Sequence, residues 1–258
     1  MNSYTKNHII KAMDKNIRFD GRKTDEFRPI TVQVGVSSTA EGSARVKFGD
    51  CEVIAGVKLS MGTPFPDTPK EGVLMVNAEM LQLSNPKYEG GQPGSDAIEL
   101  SRVVDRAIRE SHMIDNEALC VEEGKKVWMV SVDIAPINAN NELFDICAFA
   151  ALAALRNTKF PAVVNDKVDY HRKGEGGPLP IKSVPISVTI YKCGNNYVVD
   201  PTELEVEASD ARLTVAFNEK DEIVAMQKGG EYPFDFDEID KIFTLAKAKS
   251  KELRAFLK

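Results

Sequence analysis

Apolar and polar positions alternate with a period of two over Ile30, Val32, Val34 and Val36, which predicts a half-buried strand. Residues 44–48 and 52–59 flank Gly49-Asp50 and read as a hairpin or meander. Residues 61–72 carry prolines 64, 66 and 69 and are expected to form a loop, 73–83 return to strand character, and 85–94 form a second loop. Leu100, Val103, Val104, Ala107 and Ile108 then recur at helical spacing. Ser95 or Asp96 is placed to cap that helix, with Glu99 completing a capping box after Asp96. Residues 126–134 are a further strand, and 143–155 are apolar around the whole helical circumference, with Asp145 the one interruption. A helix without a polar side belongs in the interior or at a large subunit contact.

The segment 157–179 changes composition to His171-Arg172-Lys173-Gly174 and Gly176-Gly177-Pro178 and reads as a linker. Beyond it, 186–192, 197–199, 212–218 and 222–227 form a run of strands with tight turns, and 237–257 a closing helix. A short amphipathic helix opens the chain, with Ile9, Ile10 and Met13 among lysines. This order predicts an α+β protein of two similar β–α halves. The first covers 1–160, the linker 161–179 and the second 180–258, packed as one compact unit.

At 258 residues, 43% hydrophobic and 28% charged, the chain can bury a substantial core. No apolar run nears the ~18 residues of a membrane span, and the start lacks the features of a secretory signal, so a cytoplasmic protein is expected. Cys51, Cys120, Cys147 and Cys193 are too dispersed for a thiolate metal site, and reduced thiols are expected. His8, His112 and His171 lie in no nucleophile or metal-ligand context, and no phosphate-binding glycine loop is present. No cofactor is expected. A net charge of −6 argues against a nonspecific nucleic-acid binder working alone and restricts any RNA contact to a local patch.

Arg102, Arg106 and Arg109 supply such a patch on one side of the 95–110 helix. Like charges four residues apart repel by ~0.2–0.5 kcal/mol, and guanidinium forks match phosphate geometry. The alternative is a solvated face, with Glu99, Asp105 and Glu110 at pairing distance along the helix. Asp200, Glu203, Glu205, Glu207 and Asp210 form an acidic cluster. It reads as a solvated strand edge in preference to a magnesium site, since no dedicated ligand spacing is met.

Three ordered segments resemble the ribonuclease PH family: Arg18-Phe-Asp-Gly-Arg22 with Phe27-Arg28-Pro29-Ile30; Glu99-Leu-Ser-Arg-Val-Val-Asp-Arg-Ala-Ile-Arg109; and Val198-Val-Asp-Pro-Thr202 through Asp210-Ala-Arg212 to Gln227-Lys-Gly-Gly230. Within the family, the chain looks like the catalytically silent type of subunit in the archaeal exosome ring. The resemblance implies a ribonuclease-PH-like fold (ribosomal protein S5 domain 2-like) of two pseudo-symmetric β–α units. It also implies phosphorolysis, in which inorganic phosphate attacks the 3′-terminal phosphodiester of RNA and releases nucleoside diphosphates.

Two departures separate this chain from active members. Where those carry a Gly-Ser-Arg or Gly-Thr-Arg signature that holds phosphate, this sequence reads Asn140-Asn141-Glu142-Leu143. Where they carry an aspartate pair six residues apart, Asp200 matches the first and Val206, or Glu207 with a one-residue slip, the second. Glu142, Leu143 and Val206 thus mark lost-site positions, and no catalytic residue is assigned. The resemblance implies a heterodimer with a catalytic ribonuclease-PH-type subunit, three per hexameric ring, with cap subunits and single-stranded RNA as further partners. It makes Arg106, then Arg102 and Arg109, candidates for contacting RNA at the partner's site. Arg172 and Lys173 are secondary candidates that would face a channel. The alternative is an autonomous phosphate-dependent 3′-to-5′ exoribonuclease with a divergent site.

Overall fold

The structure is a computed structural model that describes every residue except Asn141, Asp166 and Lys258. The elements run α1 (Ser3–Met13), β1 (Ile30–Val34), β2 (Gly42–Phe48), β3 (Cys51–Gly62), β4 (Val73–Ala78), α2 (Ser95–Glu110), β5 (Cys120–Glu122), β6 (Lys126–Asn138) and α3 (Phe144–Arg156). They continue with β7 (Ala162–Val164), β8 (Lys167–Asp169), β9 (Ile186–Cys193), β10 (Asn196–Val199), α4 (Glu203–Ala208), β11 (Ala211–Phe217), β12 (Ile223–Gly230) and α5 (Phe236–Arg254).

The first sheet has the order β1-β2-β3-β6-β4, with β5 joined to β6; β4 lies parallel to β6 and the other pairs are antiparallel. The second sheet, β10-β9-β11-β12, is antiparallel throughout. Along β3, Cys51, Val53, Ala55, Val57 and Leu59 are buried while the residues between them are less so, the signature of one covered face. The cover is α3, which packs on β2 and β3 and also reaches β9 of the second sheet. Both its sides therefore meet protein, and the all-apolar helix proves to be an interior one, with Ile146, Cys147, Phe149 and Leu152 all buried. Its closeness to β2 needs Gly42: a Cβ there would stand 2.6 Å from the Ala154 carbonyl oxygen and 2.1 Å from the Thr158 hydroxyl.

Several elements differ from the sequence reading. Helix α2 is capped by Gly94 with no side-chain bond, so Ser95 and Asp96 do not serve as caps; both already lie within the helix. Strand β4 stops at Ala78, short of residue 83. The stretch read as linker contains the β7–β8 hairpin. The acidic cluster is not a solvated strand edge. Residues Glu203–Ala208 form helix α4, capped by Thr202 and Glu205 in a capping box, and both Glu205 and Asp200 are buried. Pattern alone missed α4 because six residues are too few to display a helical period.

Among the described residues, no helix is long and apolar enough to cross a membrane. The four cysteines are free thiols.

Candidate functional site

A cavity of about 300 Å³ opens where α2, the head of α3, the end of α4 and strands β11 and β12 converge. Glu142, Leu143 and Val206 all line it, so three positions far apart in sequence meet at one place. Glu207 faces outward instead, half-exposed, its carboxylate 3.8 Å from the Met1 amine.

The first turn of a helix leaves backbone N–H groups without intrahelical acceptors. At α3, Glu142 bends over that end: its Oε1 accepts from the Phe144 N–H and its Oε2 from the Asp145 N–H at 3.3 Å. A buried carboxylate therefore sits where free amides and the helix dipole would otherwise attract an anion. Burial drives the Glu142 pKa well above the ordinary carboxylate range, and the neighbouring Asp145 charge raises it further, while the two amides act in the opposite direction.

Asp145 is also buried. It accepts from the Thr189 N–H at 3.0 Å and from the Thr189 hydroxyl at 2.7 Å. With that hydroxyl proton committed, the Thr214 hydroxyl donates to Thr189 across 2.9 Å. Burial pushes the Asp145 pKa up to about 7 against these bonds. Two carboxyl groups share the buried head of one helix, and burial favours their neutral forms.

On the facing wall, Arg212 pairs with Glu99 at 2.7 Å and lies over the Phe144 ring, 4.4 Å from its centroid. Gly229 makes room for it: a Cβ there would come within 1.3 Å of Arg212 Nη1. Sequence reasoning did not assign Arg212 or Glu99 to a site; only folding joins β11 to α2.

Asp200 does not line the cavity. Its side chain is 2% exposed, and its Oδ2 accepts from the Arg28 N–H at 2.8 Å, Arg28 Nε at 2.9 Å and Arg22 Nη1 at 2.9 Å, while Oδ1 meets Arg28 Nη2. Arg18 binds the Asp200 carbonyl at 3.0 Å and grips Glu205 through two bonds. These arginines use the acidic cluster as a clasp between the N-terminal segment and the second sheet.

The three arginines of α2 stay outside the cavity on the exposed side of the helix. Arg109 pairs with Asp105 at 2.7 Å and reaches the Leu74 carbonyl at 3.2 Å. Arg106 donates to Gln227 Oε1 at 2.8 Å on β12. Arg102 has no side-chain partner among the described residues, because Glu99 has turned to Arg212. Pairing with a carboxylate along the helix therefore describes Arg109 alone, although all three arginines are exposed. Arg172 pairs with Glu175, and Lys173 reaches the Ser38 carbonyl between β1 and β2. Strand β1 is the edge opposite β4, so this basic loop does not join the α2 patch. Of the candidate run Asn140-Asn141-Glu142-Leu143, Asn141 lies outside the described residues.

Two sheets packed on a shared interior helix, with a cavity where α2, α3, β11 and β12 meet, define a two-sheet α+β protein. The chain belongs to the 3′ exoribonuclease (ribonuclease PH) family, matching its domain 1 over residues 26–161 and its domain 2 over residues 183–249. It is 43% identical over 249 residues to the exosome complex component Rrp42 of Archaeoglobus fulgidus, covering 96% of this chain and 94% of that protein. The Rrp42 component of Methanocella arvoryzae is 45% identical over the same shares. A chain of the Archaeoglobus fulgidus exosome solved with RNA bound to the active site superposes with a TM-score of 0.92 at 42% identity, covering 99% of this chain and 98% of that one. Rice Rrp46, at 17% identity and a TM-score of 0.71, shares the fold.

Proposed function

We propose that this chain is a non-catalytic component of an archaeal exosome, a 3′-to-5′ RNA-degrading complex. It pairs with a catalytic ribonuclease-PH-type subunit, and three such heterodimers close a hexameric ring that carries RNA-binding cap subunits. The relatives named above support this reading, being exosome components matched over nearly their whole length. The setting is cytoplasmic.

The observation that carries catalytic silence is the Glu142 carboxylate seated on the Phe144 and Asp145 amides. Phosphorolysis needs an inorganic phosphate beside the scissile bond, held by donors. Here the donors at the head of α3 are consumed by the chain's own carboxylate, and Val206 on the opposite wall can neither donate a proton nor bind a metal. Asp200, the remaining carboxylate of the family pattern, is held by Arg22 and Arg28.

The arginines of α2 serve a different site. Standing outside this chain's own cavity and on the surface, Arg102, Arg106 and Arg109 contact the phosphate backbone of RNA held by the catalytic partner. Such contacts position RNA without reading sequence. Arg172 and Lys173 add positive charge on a separate loop.

Incubating the purified chain with RNA and orthophosphate tests silence. No nucleoside diphosphate is expected from the chain alone, and its release there would overturn the reading; the complex with a catalytic partner is the positive control.

A further inference from the structure

The three arginines of α2 are held in three different ways. Arg109 is engaged on two sides: Nε and Nη2 donate to the Asp105 carboxylate, and Nη2 also reaches the Leu74 carbonyl. Its charge is therefore balanced where it stands. Arg102 is exposed and keeps its full charge, with nothing to fix its direction. Arg106 combines full charge with a fixed direction. Its Nη1 donates to Gln227 Oε1 at 2.8 Å and more weakly to the Met226 carbonyl at 3.4 Å. Both acceptors are uncharged, so these bonds orient the guanidinium without cancelling its charge. The Nε–Nη2 edge, whose parallel donors match two phosphate oxygens, has no partner among the described residues.

Gln227 is itself fixed. It stands on β12 opposite Thr214 of β11, and its Nε2 donates to the Lys228 carbonyl at 3.2 Å. That bond commits the amide nitrogen, which leaves the amide oxygen for Arg106. Beside the pair, Val103 and Ala107 of α2 meet Ala216 and Ala225 of the second sheet across a gap of about 10 Å³, barely room for one water. The small alanines bring helix and strand together, and the closed seam sets the distance that the Arg106–Gln227 bond spans. A helix of the first half thus has one of its arginines aimed by a strand of the second, 121 residues away in sequence.

We infer that Gln227 is a positioning residue for RNA binding: it holds Arg106 with the Nε–Nη2 edge free, so that the guanidinium meets a backbone phosphate already ordered. This role rests on the reading of α2 as an RNA-contacting patch. Immobilising a long side chain on binding costs free energy, and an arginine held in place beforehand avoids part of that cost. Gln227 touches no RNA and acts through Arg106.

The test uses the complex assembled with its catalytic partner, each variant checked by mass, and its affinity for a 5′-labelled oligoadenylate in phosphate-free buffer over a range of salt. Gln227→Met keeps the side-chain length and removes the acceptor. Affinity should fall about fivefold, while the slope of log affinity against log salt stays the same because the arginine charge remains. Gln227→Glu keeps the bond but adds a carboxylate, so affinity should fall at least as far and the slope should shrink by about one. In an Arg106→Ala background, Gln227→Met should change nothing. Should either variant fail to assemble, the other decides. Unmodified affinity in Gln227→Met, an equal loss with and without Arg106, or an unchanged slope in Gln227→Glu would each overturn the proposal. Arg106→Ala by itself separates the two levels. If it binds RNA as tightly as the unmodified complex, the patch reading fails and the positioning role falls with it. If it binds more weakly while Gln227→Met is unaffected, the positioning role alone is lost.

Discussion

Arg18 and Glu205, 187 residues apart in sequence, meet in two parallel bonds, Nε to Oε1 at 2.9 Å and Nη2 to Oε2 at 2.7 Å, with both side chains almost fully buried. Removing one partner of such a pair leaves an uncompensated buried charge. Arg18→Ala is expected to lower unfolding free energy by about 3–5 kcal/mol. Arg18→Met combined with Glu205→Leu should cost much less, since no lone charge remains. Urea denaturation of both variants checks this, and an equal loss in the two would contradict the pairing.

Glu142 makes a second prediction. Glu142→Ser frees the Oε-bound amides of Phe144 and Asp145 and removes the carboxyl group that occupies them. Orthophosphate affinity should rise by roughly tenfold or more, and unfolding free energy should drop by about 1 kcal/mol from the lost cap. Isothermal titration with orthophosphate on both proteins decides it: equal affinities would mean that Glu142 excludes nothing. RNA cleavage should stay absent, because Val206 still stands in the opposite wall.

The α2 patch predicts a salt-dependent effect. Arg106→Ala removes one exposed bond to Gln227, a loss of under about 1 kcal/mol in stability. In the complex assembled with its catalytic partner, RNA affinity should fall, and the slope of log affinity against log salt should shrink by about one. Unchanged affinity would assign the arginines to the ring wall alone. Because contacts to phosphate carry no base identity, the loss should be uniform across RNA sequences.

Asp145 predicts a pH dependence of stability. Its pKa is about 7 in the folded chain against an ordinary value of 3.8. Between these values the folded state holds a proton that the unfolded state has released, so stability falls as pH rises from about 4 to about 7. The contribution is fully present below that window and gone above it. In Asp145→Asn this part of the slope should vanish. Thermal unfolding of both proteins from pH 4 to pH 8 measures the difference, and parallel curves would reject the assignment.

The sequence by itself determined the α+β order, the apolar burial of α3 and the hairpins closed by tight turns, such as β2–β3 and β9–β10. Periodicity and tight turns are local signals and survive without tertiary context. It also located Glu142, Leu143 and Val206, because resemblance aligns positions one at a time. The histidines at 8, 112 and 171 are exposed in the fold.

Tertiary structure alone decided what those positions do together. That Glu142 turns back onto α3, that Glu99 leaves Arg102 for Arg212, and that Asp200 and Glu205 are buried clasps are all outcomes of long-range packing. Charge along a helix shows which partners are within reach, whereas desolvation and competing partners select among them. A carboxylate at the surface and one sealed beside an arginine are identical letters in a sequence. They differ in the water each has lost and in the partner that replaces it.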